Sequence, residues 1–268
     1  MKYIIAARYG VMSLVGGFVS RSHEYQLGEM LVLKTDRGTE IGEFMGVKGE
    51  LPPGGDEATD GKIIGIASDD ELKRLEKTRT VTEREEKDYC RKLIADRELN
   101  MRLKYAEHIF GGERVIFYFT ADERVDFRDL VKDLADKYKT RIEMKQIGAR
   151  DEALLLEECG TCGRDLCCRS VLHEIQPVSM KMAKAQTSTL DPAKVSGRCG
   201  RLKCCFRYEH ELYRELSQRM PNVGDIVKTR TEEGEVINVE VLSQKVVIIH
   251  EAHPFDIPIK DIIEVIKK

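Results

Sequence analysis

One feature constrains this chain more than any other: a cysteine motif that occurs twice. "CGRDLCC" at 162–168 and "CGRLKCC" at 199–205 share the form Cys-Gly-Arg-x-x-Cys-Cys. With Cys159 ahead of the first copy, seven of the eight cysteines fall within residues 159–205. Disulfides explain them poorly, because the count is odd, adjacent cysteines rarely pair with each other, and the chain otherwise reads as cytoplasmic, where thiols stay reduced. Packing explains Cys90, which shares a helical face with Tyr89, Leu93 and Ile94. It does not explain the seven, which sit among glycine, arginine and lysine.

Metal binding fits better. Cys159-x2-Cys162 is a chelating pair, and a glycine after a cysteine lets the backbone turn its N–H groups toward sulfur. All-thiolate ligation narrows the choice to zinc or an iron–sulfur cluster. Two separated Cys-x2-Cys pairs would favour zinc, and only one is present. Adjacent cysteines do not readily share one tetrahedral ion, a restriction that a larger cluster relaxes, so spacing leaves both groups open. Four thiolates around Zn²⁺ or an oxidised 4Fe–4S cluster carry a net charge of about −2. Nine basic residues against three acids between Cys159 and Arg207 give a local +6, in a chain whose formal charge is −3. Arg164, Arg201, Lys203 and Arg207 are placed to offset the thiolates. Seven thiols are also one short of two four-cysteine sites, which leaves room for a ligand from a partner.

The rest of the 268 residues is 41% hydrophobic and 34% charged, a globular profile. No apolar run approaches the roughly 20 residues a membrane helix needs. Arg8 interrupts the apolar start and no small-residue cleavage site follows, so the start reads as a pair of strands.

The pattern predicts an α+β chain. Residues 1–48 form a β-rich N-terminal part, with a hairpin across "DRG". The Pro/Gly-rich "GELPPGGDEATDG" (49–61) reads as a loop. An α+β domain over 62–150 begins with helices at 69–100. It continues as a ββαβ unit whose hairpin turns at Gly111-Gly112. Its helix carries Phe127, Leu130, Val131, Leu134 and Tyr138 at helical spacing, with Asp126 as N-cap. The cysteine-rich, metal-binding region follows over 151–210, and short strands over 220–268 suggest a small β-barrel.

The stretches "FYFTADERVDFRDLVKDLADKYKTRIEMKQIGARDEA", "CGRDLCC" and "VSMKMAKAQTSTLDPAKVSGRCGRLKCCFRYE" resemble the YaaT-like (RicT-like) proteins of the polymerase-suppressor C-terminal domain family. The likeness is strong over 101–210 and looser elsewhere. It implies a non-enzymatic regulator that joins small helical YlbF- and YmcA-like partners in an iron–sulfur (4Fe–4S) complex. That complex would modulate RNA processing by the endoribonuclease RNase Y and affect development such as sporulation. The six recurrent cysteines of the family fall on Cys162, Cys167, Cys168, Cys199, Cys204 and Cys205. Cys159 departs from the family pattern; a seventh thiol there could replace one of the six or favour zinc.

Other classes find less support. Lys181, Lys184, Lys194 and Arg198 could meet RNA phosphates, with a steep salt dependence. Few aromatics interleave for base stacking, so a solvated loop that balances the metal site is the preferred reading there. No nucleophile elbow, phosphate loop or dinucleotide fingerprint is present. A thiol redox enzyme would use low-pKa cysteines beside arginine and lysine but needs a substrate pocket. His250 and His253 lack metalloprotease spacing and read as loop residues. His173 and His210 flank the thiols as further donors.

Overall fold

The computed structural model describes residues 2–52, 59–156, 159–172, 175–187, 189–250 and 253–267. The chain divides into two compact units, Met1–His173 and Glu174–Lys268.

The first unit opens with a closed five-stranded barrel. Strands β1 (Tyr3–Tyr9) and β2 (Leu14–Ser20) form the expected pair, and β3 (Met30–Thr35) and β4 (Thr39–Glu50) form the expected hairpin across Asp36–Gly38. Strand β4 also pairs with β1. Strand β5 (Gly61–Ile66) closes the ring, running parallel to β2 and antiparallel to β3. The barrel thus extends past the Pro/Gly-rich stretch, of which 53–58 lie outside the described residues. Alternating side chains fill it: Ile5, Ala7, Phe18, Leu31, Leu33 and Phe44 are buried together.

Helix α1 (Asp69–Lys77) starts with a capping box in which Ser68 and Glu71 satisfy each other's backbone N–H groups. A π-helical turn, Thr78–Thr82, leads into α2 (Glu83–Asp96). The predicted ββαβ unit is present: β6 (Arg102–His108) pairs antiparallel with β7 (Arg114–Thr120), and α3 (Arg128–Tyr138) crosses to β8 (Arg141–Gln146), parallel to β7. Gly112, at φ +79°, makes the hairpin turn.

Strand β7 is buried on both faces. Val115, Phe117 and Phe119 pack with Leu130 and Leu134 of α3 and with Cys90 and Ile94 of α2. Ile116 and Tyr118 pack with Ile109 and Ile147 on the other face. Each such side chain contributes about 1.5–3 kcal/mol. The cap of α3 differs from expectation: Phe127 is the N-cap residue, and Asp126 Oδ1 accepts from the N–H of Arg128 at 3.2 Å. Two short helices, α4 (Ala149–Leu155) and α5 (Cys167–Ser170), complete this unit.

Between barrel and sheet lies a group of buried charges that the sequence pattern did not reveal. Arg37 meets Glu107 at 2.6 Å and Glu40 at 3.2 Å. Glu107 also accepts from Tyr118 Oη at 2.6 Å and from the Val11 N–H at 2.9 Å. Nearby, Glu83 accepts from Tyr105 Oη at 2.9 Å and the His108 N–H at 3.0 Å, and His108 Nδ1 lies 2.7 Å from Glu86. Burial pushes the Glu40 and Glu83 carboxyls up to about 7. The hydrogen bond to Glu86 raises His108.

In the second unit α6 (Met180–Lys184), α7 (Pro192–Val195) and α8 (Cys205–Ser217) precede five strands. These are β9 (Ile226–Lys228), β10 (Glu233–Glu240), β11 (Lys245–His250), β12 (His253–Pro258) and β13 (Glu264–Ile266). They form an antiparallel sheet in the order β12-β11-β10-β9-β13, where a small barrel was expected. The last strand returns beside the short β9, so β12 and β13 end up on opposite edges. Val227, Val236, Val246, Ile248 and Ile257 form its core. His250 and His253 were read as loop residues; they instead end β11 and begin β12, paired across the two strands. Among the described residues no helix is long and apolar enough to cross a membrane.

Two outcomes follow for stability. Gly46 and Gly61 share φ +147°, but a Cβ at Gly46 meets nothing within 4 Å, whereas one at Gly61 overlaps the Lys34 carbonyl. In urea unfolding, Gly61→Ala is expected to cost about 2–4 kcal/mol more than Gly46→Ala. The raised carboxyls also set a pH dependence. A carboxyl held above its unfolded value favours the native state when protonated, so its contribution is present in full below 4.5 and is lost as the pH rises to about 7. His108, also raised, adds a loss in the same direction as it deprotonates. The urea midpoint is expected to fall from about pH 5 to about pH 7.5, and to fall less in Glu83→Gln; an equal slope in the variant would refute this origin.

Candidate metal centre

The two cysteine motifs fold into the same backbone turn, at a constant separation of 37 positions. In the first unit Cys159 forms a β-bridge with Asp165; in the second Ser196 forms one with Leu202. The Gly160 N–H donates to the Arg164 carbonyl at 2.7 Å, and the Gly197 N–H to that of Arg201 at 2.8 Å. Inside the loop the Gly163 N–H donates to Gly160 at 2.9 Å, and the Gly200 N–H to Gly197 at 3.0 Å. Gly163 and Gly200 have φ +78° and +71°, the left-handed region that glycine enters without steric cost.

The likeness continues into the helices. The N–H groups of Arg169 and Phe206 donate to the carbonyls of Leu166 and Lys203. Those of Val171 and Tyr208 donate to Cys167 and Cys204. Each copy is therefore a tight turn carrying one cysteine, Cys162 or Cys199, followed by two cysteines at the start of a helix. A Cβ added at Gly160 would lie 3.4 Å from Cys162 Sγ, and one at Gly197 would lie 3.8 Å from Cys199 Sγ. In both copies the sulfur folds back over the first glycine.

Cys159 and Cys162 are exposed, and the other five cysteines of the motifs are half-buried. Among the described residues no three histidine, cysteine, aspartate or glutamate side chains are gathered at metal-holding distance. Within each unit the turn has a formed backbone and carries thiols as donors. Cys90, by contrast, is fully buried within the ββαβ core, and desolvation pushes its thiol up to about 12. It packs as expected.

The segment between the motifs is folded, unlike the solvated loop expected there. Ala183, Val195 and Phe206 form a small core with Val178, Met182 and Leu202 around it, so apolar residues spaced among the lysines outweigh the charge. Lys181, Lys184, Lys194 and Arg198 are exposed around that core. Arg207 donates to Gln176 Oε1 at 2.7 Å, so its guanidinium is held within the segment. Arg164 and Arg201 stand exposed at the same position of the two turns. His210 lies on α8 with a buried Nδ1 that has no hydrogen-bond partner, and His173 lies outside the described residues. Carried three positions further toward the N terminus, the likeness between the motifs pairs Cys159 with Ser196.

Comparison with known proteins agrees with the motif reading. Residues 61–147 match the family model described as PSP1 C-terminal conserved region, and residues 177–220 match that described as PSP1-like protein, third domain. The chain is 35% identical over 244 residues to the stage 0 sporulation protein YaaT of Bacillus subtilis (strain 168), covering 91% of this chain and 88% of that protein. Protein PSP1 of Saccharomyces cerevisiae is 47% identical over 45 residues, 17% of this chain and 5% of that protein. No solved structure matches.

Accessibility separates the thiols. Under brief native alkylation read by peptide mass spectrometry, Cys159 and Cys162 are expected to be modified first and Cys90 only after unfolding. Early modification of Cys90 would contradict its place in the core.

Proposed function

The chain belongs to the YaaT and PSP1 family, and from that membership we propose that it is a non-enzymatic regulatory scaffold whose duplicated cysteine turns hold an iron–sulfur cluster. The observation that carries this reading is the repeated turn-and-helix backbone, which presents the same three cysteines in each unit. Cys162, Cys167, Cys168, Cys199, Cys204 and Cys205 would be the holding residues. Their donor type suits the group, since thiolates are the common ligands of iron–sulfur clusters. When bound, such a cluster supplies a redox-sensitive structural tie. The basic residues around the turns would offset its negative charge, and the small core of Ala183, Val195 and Phe206 would keep the second turn in place.

In this reading the protein acts through contacts. Small helical proteins of the YlbF and YmcA kind are its partners, an RNase Y-type machinery is the process it tunes, and development such as sporulation is the setting, in keeping with the name of the Bacillus subtilis relative. A second reading, a zinc-dependent RNA-binding module, draws on the exposed Lys181, Lys184 and Lys194.

Elemental analysis distinguishes the two. Protein purified without oxygen is expected to contain iron and acid-labile sulfide in equal amounts. Cys167→Ser and Cys204→Ser are expected to lose iron and partner co-purification together, and retention of both in both variants would end the scaffold reading. Zinc without sulfide, with RNA affinity that falls steeply with salt, would support the second reading instead.

A further inference from the structure

The correspondence between the two turns makes one position stand out. Every residue from 159 to 168 has a partner 37 positions later, and the β-bridge and the two hydrogen bonds that close each turn match. At the first position the side chains differ: Cys159 in one turn, Ser196 in the other. The turn itself does not need a thiol there, because Ser196 supports the same bridge and the same hydrogen bonds. Packing does not need it either, since Cys159 is exposed, whereas cysteines without a chemical role are among the most buried residues. Cys162 Sγ lies over the glycine adjacent to Cys159, so the two sulfurs are carried on one short turn.

We propose that Cys159 is a ligand position, which makes the two turns unequal. The first offers one thiophilic divalent cation three thiols, Cys159, Cys162 and one of the adjacent pair Cys167 and Cys168. The second offers two thiols in the matching places, Cys199 and one of Cys204 and Cys205, with the hydroxyl of Ser196 in the third. A serine hydroxyl stays protonated near neutral pH and is a poor ligand for a soft metal, whereas a thiolate is a strong one. The backbone is already formed in both turns. The first turn is therefore the tighter site. This inference rests on the metal-binding reading above and adds a ligand that the six family positions do not include.

The test uses the full chain, reduced and stripped of metal, with cadmium(II) as the probe. Binding is followed by ultraviolet thiolate absorption and by competition with a chelator, in the wild type and in Cys159→Ala and Ser196→Cys. Cys159→Ala is expected to weaken the tightest equivalent at least tenfold, and Ser196→Cys to tighten a second equivalent by a similar factor. Because Ser196→Cys adds a ligand, its gain does not depend on a damaged fold. If both variants titrate like the wild type while iron and sulfide persist in the purified protein, the assignment of position 159 is overturned and the scaffold reading stands. If the wild type itself shows no cadmium–thiolate absorption, the inference and the metal-binding reading fall together.

Discussion

Glu107 is the residue on which the first unit depends. Its carboxylate is buried and takes one bond from each surrounding element: the Val11 N–H from the β1–β2 turn, Arg37 from the β3–β4 turn, and Tyr118 Oη from β7. A buried carboxylate without such partners would cost several kcal/mol. With them, two hydrogen bonds and an ion pair tie the barrel's turns to the sheet at one carboxylate. Arg37 is shared with Glu40, which in turn accepts from Thr35 Oγ1 at 2.8 Å. The junction is thus closed by directional bonds, while apolar packing fills the barrel and the ββαβ core on either side of it.

The cysteine turns are built on the opposite principle. Their backbone is fixed by bonds between near neighbours, and their reactive atoms stand at or near the surface. A short loop closed at both ends by backbone hydrogen bonds loses little entropy when its side chains converge on a ligand, since the main chain has already been ordered. Such turns need little from a large core. The second is supported by the small cluster of Ala183, Val195 and Phe206.

What the sequence made legible follows from the range of the interactions. Hairpins at Asp36–Gly38 and Gly111–Gly112 and the Leu130–Leu134 stripe are local signals, and each is present as read. Closure of the barrel is not local. Strand β5 joins β2 in parallel across more than forty residues, and the alternation in "GKIIGI" does not say which edge it will meet. The open C-terminal sheet has the same cause, since short strands alone do not say whether the first and last will pair. Glu107 was invisible because a glutamate in "RLKYAEH" reads as a solvent-facing strand position until its partners are known. Position 159 was visible as a seventh thiol, and the bridges and hydrogen bonds bear out the equivalence to Ser196 that the offset of 37 implies.

The internal repeat also separates what the fold requires from what chemistry requires. Across the ten paired positions 159–168 and 196–205, six identities are kept: two glycines, three cysteines and one arginine. The second glycine is explained by its positive φ. At the first, a Cβ would only touch the cysteine sulfur at ordinary van der Waals distance, so the turn does not demand that glycine. The arginine contributes only its carbonyl to the turn and is exposed in both copies, so the backbone gives no reason for its identity. In the proposed reading the three cysteines and the arginine are kept for the group they would hold, whereas Leu166 and Leu202 are placed by packing.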